Sequence, residues 1–410
     1  MAKVNEDFLR LASGYLFPEI ARRTKAWQQR NPGVEVLRLG IGNTTEALTP
    51  HIVAAMKHKL DLLSDRETYT GYGDEQGDTP LRKGLADYYS RNYGVELDAD
   101  AFFVSDGAKS DAANIQSIFG ADSVIAVQDP AYPVYVDSNV AGGHTGAWND
   151  RSQNYDGIVY MPSTEENGFV ASPPKGHVDL IYLCFPNNPT GAVATKEQLK
   201  AFVDYALSEK AVIIYDAAYA AYIRTPGIPH TIYEVEGAES CAIELNSFSK
   251  NAGFTGVRLG WSVVPASIAS DNAPTGTVHR LWNRRQTTFF NGASNIAQAG
   301  GLAALSDEGR AECQGLVDYY LGNADIIKTG LENAGLECFG GIDSPYVWAK
   351  CPSGLSSWEF FDFLLEKAHV VVTPGAGFGA SGEGFVRVSS YGHRENVVKA
   401  VESIKEHLND

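Results

Sequence analysis

The stretch VDLIYLCFPNNPTG, residues 178–191, sets a short, nearly continuous apolar run directly against a polar turn of Asn, Pro and Gly. A run of this length that does not alternate reads as a strand buried on both faces. The same pattern recurs in SVIAVQDPAYP at 123–133, AVIIYDAAYA at 211–220 and SCAIELNSFSK at 240–250. Helical patterns lie between several of these runs. TKEQLKAFVDYALSEK, residues 195–210, opens with Thr195 and Gln198 in capping-box spacing. Strands alternating with helices predict an α/β fold around a mostly parallel sheet flanked by helices.

A chain of 410 residues is long for one core and predicts two domains. Residues 51–290 read as the large α/β domain. After about Asn291 the texture changes to longer helices and then to GFVRVSS, residues 384–390, a strand with alternating faces. Residues 291–410, with 1–50 folded back on them, read as a smaller α+β domain. The net charge of −17 offers no basic patch for nucleic acid or an anionic membrane, and leaves small-molecule ligands as the expected partners. The five cysteines show no CxxC spacing and the nine histidines no HExxH, so neither a disulfide framework nor a metal is expected. The N-terminus has no signal-peptide pattern and no apolar run reaches membrane-spanning length. A cytoplasmic protein is the expectation, or a plastid one if a transit peptide has been removed.

Open α/β sheets bind ligands in the crevice beyond the carboxyl ends of their strands. The loops there hold Tyr132, Asn187, Asp216 and Lys250. An isolated lysine after a strand is usually a solvated loop residue. Lys250, however, lies in SFSKNAGFTGVRLG, residues 247–260, with Ser247, Ser249 and Arg258, groups suited to hold phosphate. A lysine amine beside a phosphate site is what a Schiff base to pyridoxal phosphate requires. Asp216 then supplies the acid that pairs with the pyridine nitrogen, rather than a helix cap. Tyr219 can reach the ring oxygen. Asn187 can donate to the same oxygen, although FPNNPTG is also a good turn by itself. Tyr132 offers a face for stacking, or serves as a core aromatic. In SDGAKSD the backbone N–H groups of Gly107 and Ala108 open a helix suited to phosphate. Lys109 opposes that helix dipole, which points to an anion, either the cofactor phosphate or a substrate carboxylate. Arg387, on the late strand, is a planar fork for an α-carboxylate, or an exposed strand arginine.

NNPTG, YDAAY, SFSK followed by RLGW, and a C-terminal arginine occur in the order of the class I/II aminotransferases, and nearly the whole chain resembles this group of fold-type I pyridoxal-phosphate enzymes. GIGNTTEAL, GYGDEQGDTPLR, VSDGAKSD, QDPAYPVYVD, FFNGASNIAQAG and GEGFVRVSSYGHRE look more narrowly like the LL-diaminopimelate aminotransferase family. The resemblance implies pyridoxal 5'-phosphate on Lys250, with Asp216 at the ring nitrogen, Asn187 and Tyr219 at the ring oxygen and Tyr132 on the ring face. It implies Ala108, Lys109, Ser247 and Arg258 around the phosphate, and a homodimer in which Tyr72 arrives from the second subunit. Tyr15, Gly42, Glu75, Lys109, Asn291 and Arg387 are the implied substrate contacts, with Glu75 and Asn291 from the partner. The implied reaction interconverts LL-diaminopimelate plus 2-oxoglutarate and tetrahydrodipicolinate plus glutamate. Asn43 and Ala47 depart from the family's usual Asp and Pro, and the first change removes a negative charge near the substrate entrance. A general aspartate, aromatic or kynurenine-type aminotransferase is the alternative, followed by a pyridoxal lyase and a non-catalytic amino-acid sensor.

Overall fold

The computed structural model describes residues 2–11 and 16–408. Its strands are β1 Phe102–Ser105, β2 Ile125–Asp129, β3 Ile158–Pro162, β4 Leu180–Cys184, β5 Val212–Asp216, β6 Ala242–Ser247 and β7 Gly260–Val263, which form one sheet in the order β1-β7-β6-β5-β4-β2-β3. Neighbours from β6 to β3 run parallel, while β7 is antiparallel to both β6 and β1. Every residue of β4 and β5 is buried, which explains their unbroken apolar sequence. The antiparallel β7 follows from its connection: a short turn after Lys250 returns the chain beside β6, too short for a crossover helix. The sequence pattern did not single out this strand.

The helix Lys196–Glu209 starts as its capping box requires. The Thr195 hydroxyl accepts from the Gln198 N–H at 3.3 Å, and the Gln198 side chain accepts from the Thr195 N–H at 2.9 Å. A second sheet is antiparallel, formed by β8 Cys338–Gly340, β9 Tyr346–Lys350, β10 Thr373–Pro374 and β11 Phe385–Ser389 in the order β8-β9-β11-β10. Residues Leu37 and Arg38 pair in parallel with Val370 and Val371, and Leu16, Ile20 and Trp27 share the core around this second sheet.

Helix Asn295–Ala304, which the sequence reading placed with the C-terminal part, packs on helix Pro50–Ser64, and Ala297 and Ala304 are buried in the core of the large sheet. Helix Asp307–Asn333 then runs through both cores. Cys313 and Val317 lie in those of the large sheet, Ala324, Ile327 and Leu331 in that of the small one. One continuous helix therefore contributes side chains to both cores.

Candidate active site

The parallel strands deliver their polar loops to one edge, where a cleft of about 370 Å³ is lined by Lys250, Asp216, Tyr219, Lys109, Arg258 and Arg387, among others. Lys250 sits in the short helix Phe248–Asn251 directly after β6. Its Nζ donates to the Gly42 carbonyl and stands 5.1 Å from the centre of the Tyr391 ring. Burial, followed by the nearby Arg387 and Arg258 cations, pulls its pKa down to about 7, against the smaller opposing pull of Asp216. The shift moves the amine towards its neutral form near physiological pH.

Asp216 ends β5. Its carboxylate accepts from the Tyr135 hydroxyl at 2.7 Å and from the Ala218 N–H at 3.0 Å. Burial raises its pKa, and those two hydrogen bonds together with Lys250 oppose the rise. Tyr219 lies one turn on, with its hydroxyl 2.8 Å from that of Tyr346, and burial holds its pKa well above the ordinary value.

On the opposite wall, Gly107 (φ +135) precedes the helix Ala108–Asn114. A Cβ at Gly107 would stand 2.3 Å from the Arg258 guanidinium, so glycine is what lets that arginine close over the helix start. Ser247 accepts from the Ser249 N–H at 3.0 Å and pairs with the Ser249 hydroxyl at 2.9 Å, and Arg258 donates to Ser249 at 3.3 Å. Two hydroxyls, one guanidinium and a helix start thus converge on one corner of the cleft, an arrangement that suits a phosphate. Lys109 and Tyr132 line the same cleft, with the ammonium 5.8 Å from the ring centre.

Arg387 reaches the cleft from β11 and is 1% exposed, not the solvated strand residue its alternation also allowed. It donates to Asn188 Oδ1 at 2.6 Å and to the Gly40 carbonyl at 2.7 Å, and it lies 4.4 Å from the centre of the Tyr346 ring. Its Nε has no partner among the described residues.

The two asparagines of FPNNPTG divide differently from the sequence expectation. Asn187 is fully buried and turned into its own loop, where its Oδ1 accepts from the Thr190 hydroxyl at 2.9 Å and N–H at 3.1 Å. Asn188 lines the cleft, and its Nδ2 lies 3.4 Å from the Tyr219 hydroxyl. The turn needs an Asn acceptor at its first position, so the amide free to face the cleft is the second. Tyr346, Tyr135 and Ser249 also line the cleft. Of these the sequence singled out only Ser249, since tyrosines inside apolar strands and helices look like core.

Gly42 belongs to the cleft, while Tyr72, Glu75 and Asn291 do not line it. Tyr72 is 88% exposed. The loops that carry these three residues touch: Asn295 donates to the Gly71 carbonyl at 3.1 Å, and a Cβ on Gly292 would lie 3.7 Å from the Glu75 Cα. Tyr15 lies outside the described residues. Among the described residues no group of side chains could hold a metal ion, and no helix is long and apolar enough to cross a membrane.

The sequence matches the family described as aminotransferase class I and II over residues 34–404. Among solved structures, an L,L-diaminopimelate aminotransferase from Chlamydomonas reinhardtii is 49% identical, with a TM-score of 0.93 over 99% of this chain and 98% of that one. Substrate-bound BacF from Bacillus subtilis is 27% identical, with a TM-score of 0.84 over 99% of this chain and 98% of that one. A mutant aspartate aminotransferase from Thermus thermophilus, 22% identical with a TM-score of 0.84 over 99% of this chain and 100% of that one, shares the fold.

Proposed function

The chain belongs to the class I and II aminotransferases, and from that premise we propose that it interconverts LL-diaminopimelate plus 2-oxoglutarate and tetrahydrodipicolinate plus glutamate with pyridoxal phosphate. The observation that carries this reading is the 49% identity to an L,L-diaminopimelate aminotransferase over 99% of the chain.

The donor set fits the cofactor. Ser247, Ser249, Arg258 and the start of the helix at Ala108 would hold its phosphate, and Lys250 would hold it covalently through its amine. A protonated ring nitrogen would give the buried Asp216 the cation that favours its ionised form. Tyr219 and Asn188 would address the ring oxygen, and Tyr132 would lie against the ring. When bound, the cofactor supplies an electron-accepting ring and an aldehyde carbon. Arg387 grips the substrate α-carboxylate, and Lys250 Nζ, released as the substrate amine takes its place, takes the proton from the substrate α-carbon. We read the passage between the two units as lying within helix Asp307–Asn333 rather than at residue 290.

Tyr72, Glu75 and Asn291 complete the site in this reading only from a second copy. We therefore infer a homodimer in which their shared surface enters the partner's cleft. Glutamate and LL-diaminopimelate share an α-carboxylate and differ at the far end, where the second carries an extra ammonium. Glu75 supplies an acceptor for it and Lys109 a cation for the distal carboxylate. Glu75→Gln should lower kcat/KM about tenfold for LL-diaminopimelate, on the scale of a lost charge-assisted hydrogen bond, and leave glutamate nearly unchanged. Equal losses in steady-state assays would remove Glu75 from this role.

The neutral Lys250 amine is the form that captures the cofactor aldehyde. With a pKa of about 7, the neutral fraction rises roughly tenfold from pH 6 to pH 8 and then levels off. The rate of covalent capture by the cofactor-free protein should follow that curve in stopped-flow absorbance. A rate still climbing tenfold per unit above pH 8 would mean an ordinary lysine.

The deciding experiment mixes cofactor-loaded protein with LL-diaminopimelate, and separately with the meso isomer, and follows the cofactor absorbance. Conversion by LL alone is expected. A response to aspartate or an aromatic amino acid, with none to diaminopimelate, would move the function to a general aminotransferase.

A further inference from the structure

Tyr346 arrives from β9 of the small sheet and meets three separate parts of the cleft. Its hydroxyl lies 2.8 Å from that of Tyr219, which follows a strand of the large sheet. The Arg387 guanidinium lies 4.4 Å from the centre of its ring. A Cβ added to Gly42 would stand 2.5 Å from its hydroxyl, so the Gly42 loop, whose carbonyl receives Lys250, closes directly against it. The side chain is 1% exposed and sits in an aromatic group with Tyr219 and Tyr391.

A phenol has one proton to donate. If Tyr219 spends its proton on the cofactor ring oxygen, the hydrogen bond it shares with Tyr346 must be donated by Tyr346. A hydroxyl that accepts a hydrogen bond is a stronger donor to its next partner, because the bonds polarise one another. The face of the same Tyr346 ring favours the Arg387 cation electrostatically.

We propose that Tyr346 is a positioning residue with two separable actions: its hydroxyl strengthens the hydrogen bond from Tyr219 to the cofactor ring oxygen, and its ring holds Arg387 ready for the substrate carboxylate. This rests on the aminotransferase reading above, and each action has its own variant. Tyr346→Phe removes the hydroxyl and keeps the ring. A weaker donor to the ring oxygen favours its protonated form, so the pH midpoint of the bound cofactor's absorbance, measured without substrate, should rise by about 0.3 units, and KM should change little. Tyr346→Leu removes both groups. It should show the same midpoint shift and a KM for glutamate and for LL-diaminopimelate raised by about tenfold, the scale of a buried cation–π contact.

The experiment is a spectrophotometric pH titration of the cofactor-loaded wild type and both variants, with KM and kcat measured for each. A midpoint in Tyr346→Phe within about 0.1 units of wild type would overturn the hydroxyl's action, since even the weakest polarisation expected of such a chain is larger. Equal KM values in Phe and Leu variants would overturn the ring's action. Should the Leu variant misfold, the Phe variant alone decides the hydroxyl's action, and Tyr346→Trp, which restores an aromatic face, decides the ring's by retaining the wild-type KM. A wild-type protein that bound no cofactor would sink the aminotransferase reading itself, and this inference with it. A normal wild type with silent variants would sink this inference alone.

Discussion

Lys250→Ala should yield a folded protein that still takes up pyridoxal phosphate but turns over at least about 10,000-fold more slowly, the upper range for losing a general acid–base group, with loss of the covalent anchor added. The fold should survive because the wild-type ammonium is a burden to it: burial and two guanidiniums push its pKa down to about 7. Removing a half-buried cation relieves that repulsion, and among the described residues the hydrogen bond lost goes only to the Gly42 carbonyl. Cofactor uptake should persist because the corner proposed to hold the phosphate is built from Ser247, Ser249 and Arg258, whose mutual hydrogen bonds do not involve the lysine. Single-turnover absorbance with LL-diaminopimelate gives the rate, and equilibrium dialysis gives cofactor retention. Retention of near-normal turnover would mean that another group moves the proton, and the proposed role of Lys250 would fall.

Much of this architecture could be read from the chain because its physical causes are local. Buried parallel strands must be continuously apolar, and each must end in a polar loop at the same sheet edge, so Tyr132, Asp216 and Lys250 could be placed at one cleft from strand ends alone. The capping box at Thr195 marked a helix start for the same local reason. What the chain concealed depends on orientation or on long-range pairing. FPNNPTG offers two asparagines, and only the turn's own hydrogen bonds decide that Asn187 points inward and Asn188 outward. Tyr346 lies in SPYVWAK, where alternation and apolar neighbours describe a core strand equally well. The antiparallel β7 is invisible for a related reason: its apolar pattern does not encode direction. Tyr72, Glu75 and Asn291 could not be tied to the cleft by any pattern within one chain, since they lie outside its walls.

Arg387→Lys tests the other half of the site, and its expected signature differs from that of Glu75→Gln. Lysine keeps the charge but not the planar fork. The guanidinium divides its donors between Asn188 at 2.6 Å and the Gly40 carbonyl at 2.7 Å, and leaves Nε without a partner among the described residues. An ammonium at the end of a flexible stem cannot satisfy both of those acceptors and also meet a carboxylate along two parallel bonds. It would also be buried near Lys250, with its charged form disfavoured by desolvation. We expect kcat/KM to fall by about a hundredfold to a thousandfold, the cost of weakening a buried charge pair, and most of the loss to appear in KM. The fall should be the same for glutamate and for LL-diaminopimelate, because both present an α-carboxylate. That equality separates Arg387 from Glu75, whose loss should discriminate between the two substrates. A fall confined to LL-diaminopimelate would move Arg387 to the distal end of the substrate and reverse the orientation in which the cleft receives it.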